Sequence, residues 1–170
     1  MGTYTCLAGR AADDVSVVAF EPAPENRERL HCNVALNGVE ATVRQEALNE
    51  TTGQMGLSSR SAGDGQYALT DDQEGMQVST VEADSLVDQN IISQPSIVKM
   101  DVEGAELRVL RRMETILEGV EALYLEVHPS RIEEYGGSTD ELEARITDAG
   151  HQYKRVHERG NQYFLKAIRR

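Results

Sequence analysis

The sequence predicts an α/β fold, an open and mostly parallel sheet that closes in an antiparallel C-terminal hairpin. Three observations predict it. Two short apolar runs each end in an acid, VVAF before Glu21-Pro22 and IVKM before Asp101. Buried strands of open α/β sheets end this way at the edge where ligands bind. Each run is followed by a helical pattern, so strand and helix alternate. The chain then finishes in two alternating segments around Glu158-Arg159-Gly160-Asn161, which is a hairpin signal.

The elements follow in order. Residues 15–20 read as the first strand. Pro24 suits the first position of a helix, with Glu25 in its first turn, Leu30 and Val34 at helical spacing, and Asn37-Gly38 as its stop. Residues 41–48 read as a second strand. Residues 49–75 are rich in Gly, Ser, Asp and Gln and read as loop, with short alternating pieces near 66–69 and a low-complexity stretch at 58–65 expected to be a mobile loop. Met76–Val81 alternates as a strand, and Ile97–Met100 is a buried one. Leu107, Leu110, Met113 and Leu117 recur at helical spacing up to Gly119. Ala122–Val127 is another strand, closed by His128-Pro129. Ser138 and Glu141 have capping-box spacing ahead of Leu142, Ile146 and a stop at Gly150. Residues 152–157 and 162–168 form the hairpin. No internal repeat is present, and residues 1–170 read as a single domain.

Composition narrows the function. The chain has 170 residues, 39% hydrophobic, enough to bury a core. The formal net charge of -12 argues against nucleic acid, whose binding needs Lys and Arg to displace phosphate counterions, and against an anionic membrane surface. Basic residues are 3 Lys and 14 Arg, an acid-rich, lysine-poor balance expected of a halophilic cytosol or of a merely acidic mesophilic protein. No apolar run approaches the roughly 18 residues of a spanning helix, and the start lacks a secretory pattern. Cys6 and Cys32 are expected to be reduced thiols, and the location cytoplasmic.

The strand ends carry the chemistry. Glu21 stands where an acid can accept hydrogen bonds from both hydroxyls of a ribose; it could equally cap the Pro24 helix. Asp101 precedes a helix opening at Gly104, with Glu103 and Glu106 suited to its dipole. Gly104 would be required only where something approaches the backbone closely. His128 closes LYLEVHP and could act as a general base near neutral pH, or simply pack in the turn before Pro129. Glu126 falls on the same strand face. Asp101, Glu126 and His128 could hold a divalent metal, but no spacing among them is diagnostic, and no metal is assigned.

VVAFEPAPENRERLHCNVALNGV, IVKMDVEGAELRVLRRM and LYLEVHP together resemble the FkbM-type S-adenosylmethionine-dependent methyltransferases. The resemblance spans nearly the whole chain, with DVEGAE its most specific block. It implies a Rossmann-like, seven-stranded methyltransferase sheet with a reversed final strand, and O-methylation of a hydroxyl on a sugar, glycan, lipid or secondary metabolite. By this resemblance Glu21 binds the cofactor ribose, with Pro22 after it. Glu46, Ala47 and Leu48 lie beside the adenine. Asp101 faces the methionine part and the acceptor, and His128 stands on the acceptor side. His128 is then the first candidate base and Asp101 the second.

One departure is large. Gly2-Thr3-Tyr4-Thr5 matches only the tail of the family's glycine-rich loop, D-x-G-A-N-x-G-x-x-T. The first family strand is lacking, so the chain is expected to be a fragment or to have a misassigned start. Its loss should leave unpaired backbone on two inner strands. Two other readings stand beside methyl transfer: a non-catalytic interaction module, and a nicotinamide-dependent oxidoreductase, for which no G-x-G-x-x-G is visible. The acceptor is not named by any motif, and a homo-oligomer is compatible with the sequence.

Overall fold

The computed structural model describes residues 1–12, 14–59, 66–71 and 75–170. The chain folds as two compact units, residues 1–48 with 53–80, and residues 49–52 with 81–170.

In the first unit, α1 (Thr3–Gly9) is followed by β1 (Val18–Phe20), α2 (Pro24–Leu36), β2 (Thr42–Arg44), β3 (Ala47–Leu48), β4 (Gly53–Ser59), β5 (Tyr67–Thr70) and β6 (Met76–Val81). Pro24 occupies the first turn of α2, Glu25 follows it, and Gly38 just beyond the helix has φ +63°. The predicted Leu30 and Val34 face is buried against Cys6 and Val39. The sequence pattern does not announce α1. Its N-cap Gly2 is left-handed at φ 84°, and a Cβ there would lie 2.7 Å from Leu30 Cδ1.

β1 pairs in parallel with β2, with Val18 opposite Thr42. The expected strand 41–48 is in fact two strands in two sheets. β2 belongs with β1, whereas β3 belongs to a sheet of order β3-β6-β4-β5. The strand is interrupted at Gln45-Glu46, where Glu46 is ion-paired to Arg44. The expected loop 49–75 also contains structure, since β4 pairs antiparallel with both β5 and β6. Polar residues there read as loop because most of β4 is not buried. Of the low-complexity stretch 58–65, Ser58 and Ser59 end β4, and residues 60–65 lie outside the described residues.

The second unit contains α3 (Ala83–Asp88), β7 (Ile97–Met100), α4 (Glu106–Leu110), α5 (Glu114–Gly119), β8 (Ala122–Val127), α6 (Pro129–Glu134), α7 (Thr139–Asp148), β9 (His151–Arg159) and β10 (Gln162–Arg169). Its sheet runs β7-β8-β10-β9. β7 and β8 are parallel, and β10 is antiparallel to both β8 and β9. The hairpin is therefore as expected, but the strands are not one mostly parallel sheet. Described strands fall into three mixed or separate sheets, with parallel pairing at β1–β2 and β7–β8. The strands within 53–81 are the reason, because β4 pairs antiparallel with both β5 and β6. β7 is an edge strand among the described residues, and Ile97 on it is 63% exposed.

The single predicted helix 107–119 is broken into α4 and α5. The Asp84 carboxylate accepts from Thr115 N and Ile116 N at 2.9 and 3.0 Å, which satisfies orphan amides and starts a new helix. Leu107, Leu110, Met113 and Leu117 are nonetheless all buried. Ser138 Oγ accepts from Glu141 N at 3.2 Å, the capping interaction read from the sequence. Cys6 and Cys32 are free thiols. Among the described residues no helix is long and apolar enough to cross a membrane.

Candidate functional site

The parallel pair β7 and β8 aims two loops in the same direction. Asp101 follows the last residue of β7, and Glu126 and His128 lie at the end of β8. One ligand-type atom from each of Asp101, Glu126 and His128 lies within 4.8 Å of the others. Sequence alternation puts Glu126 and His128 on one strand face; the parallel register brings Asp101 to them.

His128 is 3% exposed. Its Nδ1 lies 2.8 Å from Oε1 of Glu106, which is wholly buried. An ionised carboxylate can only accept, so Nδ1 carries the proton and donates. The same Oε1 accepts from Gly104 N at 3.0 Å. Glu106 thus ties the end of β8 to the loop after β7. Sequence reasoning misses this partner because a glutamate in the first turn of a helix reads as a solvated dipole-facing charge.

That loop is sharply bent. Glu103 has φ 56° and Gly104 φ 109°. A Cβ on Gly104 would lie 2.4 Å from Arg131 Cβ, so the close approach that the glycine requires is made by α6. Arg131 Nη1 donates to Glu103 O at 3.1 Å and also to the Glu103 carboxylate. Glu103 Oε2 is 3.5 Å from His128 Nε2.

Charge is unevenly balanced. Lys99 Nζ is 3.9 Å from Asp101 Oδ2 and donates to Met100 O at 3.0 Å. Burial lowers the pKa of Lys99 despite the carboxylates around it. Burial, then the negative charge of Asp101, raises the pKa of Glu126 above the usual carboxylate range. Burial presses His128 toward its neutral form, but the Glu106 bond and the charges of Glu106, Glu103 and Asp101 outweigh it, so its pKa stands above the ordinary 6.5.

Of the predicted cofactor residues, Gly2, Glu21, Pro22, Glu46 and Ala47 lie in the first unit and Asp101 in the second. Glu21 follows β1, and its Oε1 accepts from Ala23 N at 3.0 Å. Burial raises its pKa, opposed by hydrogen bonds from Ala23 and Asn26 and by Arg27. The capping reading of Glu21 is therefore realised in part, because Ala23 is the N-cap of α2. Pro22 O accepts from Arg27 Nη1 at 3.0 Å. Ala47 is buried in β3, with Glu46 just before it. Leu30 fills the space beside Gly2, which accounts for that glycine by packing.

The methyltransferase FkbM domain profile matches residues 3–153. The chain belongs to the FkbM methyltransferase family. Among relatives, it is 30% identical over 129 residues to the hexuronic acid methyltransferase AglP of Haloferax volcanii, covering 75% of this chain and 52% of that protein. The FkbM chain thus spans about half the length of that curated relative. Two solved structures share the fold. FkbM from Methylobacillus flagellatus superposes with a TM-score of 0.54 at 18% identity, over 90% of this chain and 36% of that one. Precorrin-6y C5,15-methyltransferase from Geobacter metallireducens gives 0.55 at 11% identity, over 98% of this chain and 73% of that one.

Proposed function

We propose that this chain serves S-adenosylmethionine-dependent O-methylation of a sugar hydroxyl, with a uronic acid as the first acceptor to try. The observation that carries the reading is the Asp101, Glu126 and His128 cluster at the ends of a parallel strand pair in a chain of the FkbM family. The hexuronic acid methyltransferase relative supports the sugar acceptor. Hydroxyls of other glycans, lipids or secondary metabolites fit the same chemistry.

The acceptor oxygens of Glu21 suit the ribose hydroxyls of the cofactor. A carboxylate has about four lone-pair sites. Its bonds from Ala23 N and Asn26 leave acceptors for the two ribose hydroxyls. In this reading Pro22 continues the ribose side, Glu46 and Ala47 flank the adenine, and Gly2 belongs to the loop at the methionine end. S-adenosylmethionine would supply a methyl group already activated on a sulfonium. The protein's task is then to align the acceptor oxygen and remove its proton. Alignment can contribute up to roughly 7–11 kcal/mol. Proton removal by a positioned group adds on the order of 10²–10⁴-fold. Asp101 and His128 are the groups assigned to the acceptor oxygen.

Titration calorimetry of S-adenosylmethionine with the wild-type protein and Glu21→Ala tests the cofactor assignment. Loss of two charge-assisted bonds should weaken binding roughly tenfold or more. Equal affinity in the two proteins would count against it. Transfer of a labelled methyl group to a glucuronic acid glycoside tests the acceptor class.

A further inference from the structure

We infer that Asp101, Glu126 and His128 hold a divalent cation that binds the acceptor hydroxyl. The inference rests on the methyl-transfer reading of this site and deepens it. Two carboxylates and a ring nitrogen within 4.8 Å of one another offer one face of a metal coordination shell, with the remaining positions open to water or substrate.

The arrangement around His128 is what a ligand histidine requires. Metal-bound imidazoles donate the second ring N–H to a carboxylate or carbonyl, which fixes tautomer and orientation. His128 Nδ1 donates to wholly buried Glu106, so in the neutral ring Nε2 keeps its lone pair. The Glu103 carboxylate approaches Nε2 only to 3.5 Å. Glu103 is itself bound by Arg131 through both its carbonyl and its carboxylate. Glu106 also accepts from Gly104 N, so one buried group braces the histidine and the loop that begins at Asp101.

Charge points the same way. Among the described residues, Asp101 and Glu126 bring two carboxyl groups together beside Lys99, and their mutual repulsion is the excess. A divalent cation relieves that excess. Mixed carboxylate and imidazole ligation suits a first-row ion such as Mn²⁺. On the cation the acceptor hydroxyl becomes more acidic. The cation then takes over the activation assigned above to His128 as a base: the hydroxyl proton leaves to solvent, the oxygen pair forms the new bond to the methyl carbon, and the sulfur–methyl bonding pair returns to sulfur.

The test is titration of Mn²⁺ alone into chelator-treated full chain, followed by calorimetry and by the electron paramagnetic resonance of free Mn²⁺. About 0.5 M potassium chloride screens surface carboxylates. One saturable site is expected. Asp101→Asn and Glu126→Gln should weaken it at least about tenfold, and Glu106→Gln, which removes the brace, about 10–100-fold. Asp101 is 38% exposed, so Asp101→Asn should keep the fold, checked by circular dichroism. No saturable site, or equal affinity in Asp101→Asn and Glu126→Gln, overturns the inference. Methyl transfer undiminished in excess chelator also overturns it while leaving the proposed function standing. Site-dependent Mn²⁺ binding without cofactor binding upholds the cation site and removes the proposed function.

Discussion

His128 and Glu106 are joined by a 2.8 Å hydrogen bond in which the histidine is 3% exposed and the glutamate fully enclosed. Neither can exchange the other for water. Removing one partner of such a pair leaves the other desolvated, typically at about 3–5 kcal/mol. Glu106→Ala should therefore unfold at markedly lower urea concentration than wild type. An unchanged midpoint would show that the pair is not structural.

His128→Ala separates binding from chemistry. The residue belongs to the acceptor side in the proposed function, whereas Glu21 serves the cofactor. Turnover should fall roughly 10²–10⁴-fold, with S-adenosylmethionine affinity nearly unchanged. A parallel loss of cofactor affinity in calorimetry would refute that division of roles.

Gly104→Ala addresses the bend in the loop. The added Cβ would sit 2.4 Å from Arg131 Cβ, at a φ of 109° that L residues rarely adopt. Backbone strain of about 1–3 kcal/mol and overpacking of about 1–3 kcal/mol both apply. Thermal unfolding should shift down accordingly, and a Gly38→Ala control, at an open position with φ +63°, should lose less.

Glu143 gives a pH signature. Tyr153, Tyr163 and Arg155 all donate to its carboxylate. Burial opposes its charge, but these donors outweigh burial and hold the group below its ordinary 4.5. A depressed carboxylate stabilises the fold above its unfolded pKa, and that contribution is lost as pH falls through the folded value. Glu143→Gln should cost about 1 kcal/mol per bond lost near neutral pH. Its stability should also fall less steeply than wild type from about pH 5 to about pH 3. Parallel pH profiles in urea unfolding would contradict this.

Much of this was legible in the sequence, for identifiable reasons. β6, β7 and β8 matched their apolar runs because alternation or full burial decides a strand locally. The division of 41–48 between two sheets was not legible, because the pairing partner of each half lies far along the chain. Residues 107–119 kept one buried face while the backbone broke, since the break is made by Asp84 from another element. In the site, strand-end position marked Asp101 and His128. Glu106 reads in the sequence only as a dipole-facing charge and Arg131 is not singled out, because their partners His128 and Glu103 are distant in sequence and their types are those of surface residues.

The three donors on Glu143 come from both strands of the C-terminal hairpin, so one side chain of α7 registers β9 against β10. Slipping either strand by a residue would turn its donor to the opposite face. The hairpin is therefore intolerant of length changes between the clamp and the sheet, yet indifferent to what lies beyond it. Gly160 at the tip has open space around it, and the neighbouring Glu158 and Arg159 are exposed. That tip stands at the acid-lined end of β8, because Tyr163 pairs with Val127 and Phe164 with Glu126, so a loop grown there would extend beside that end.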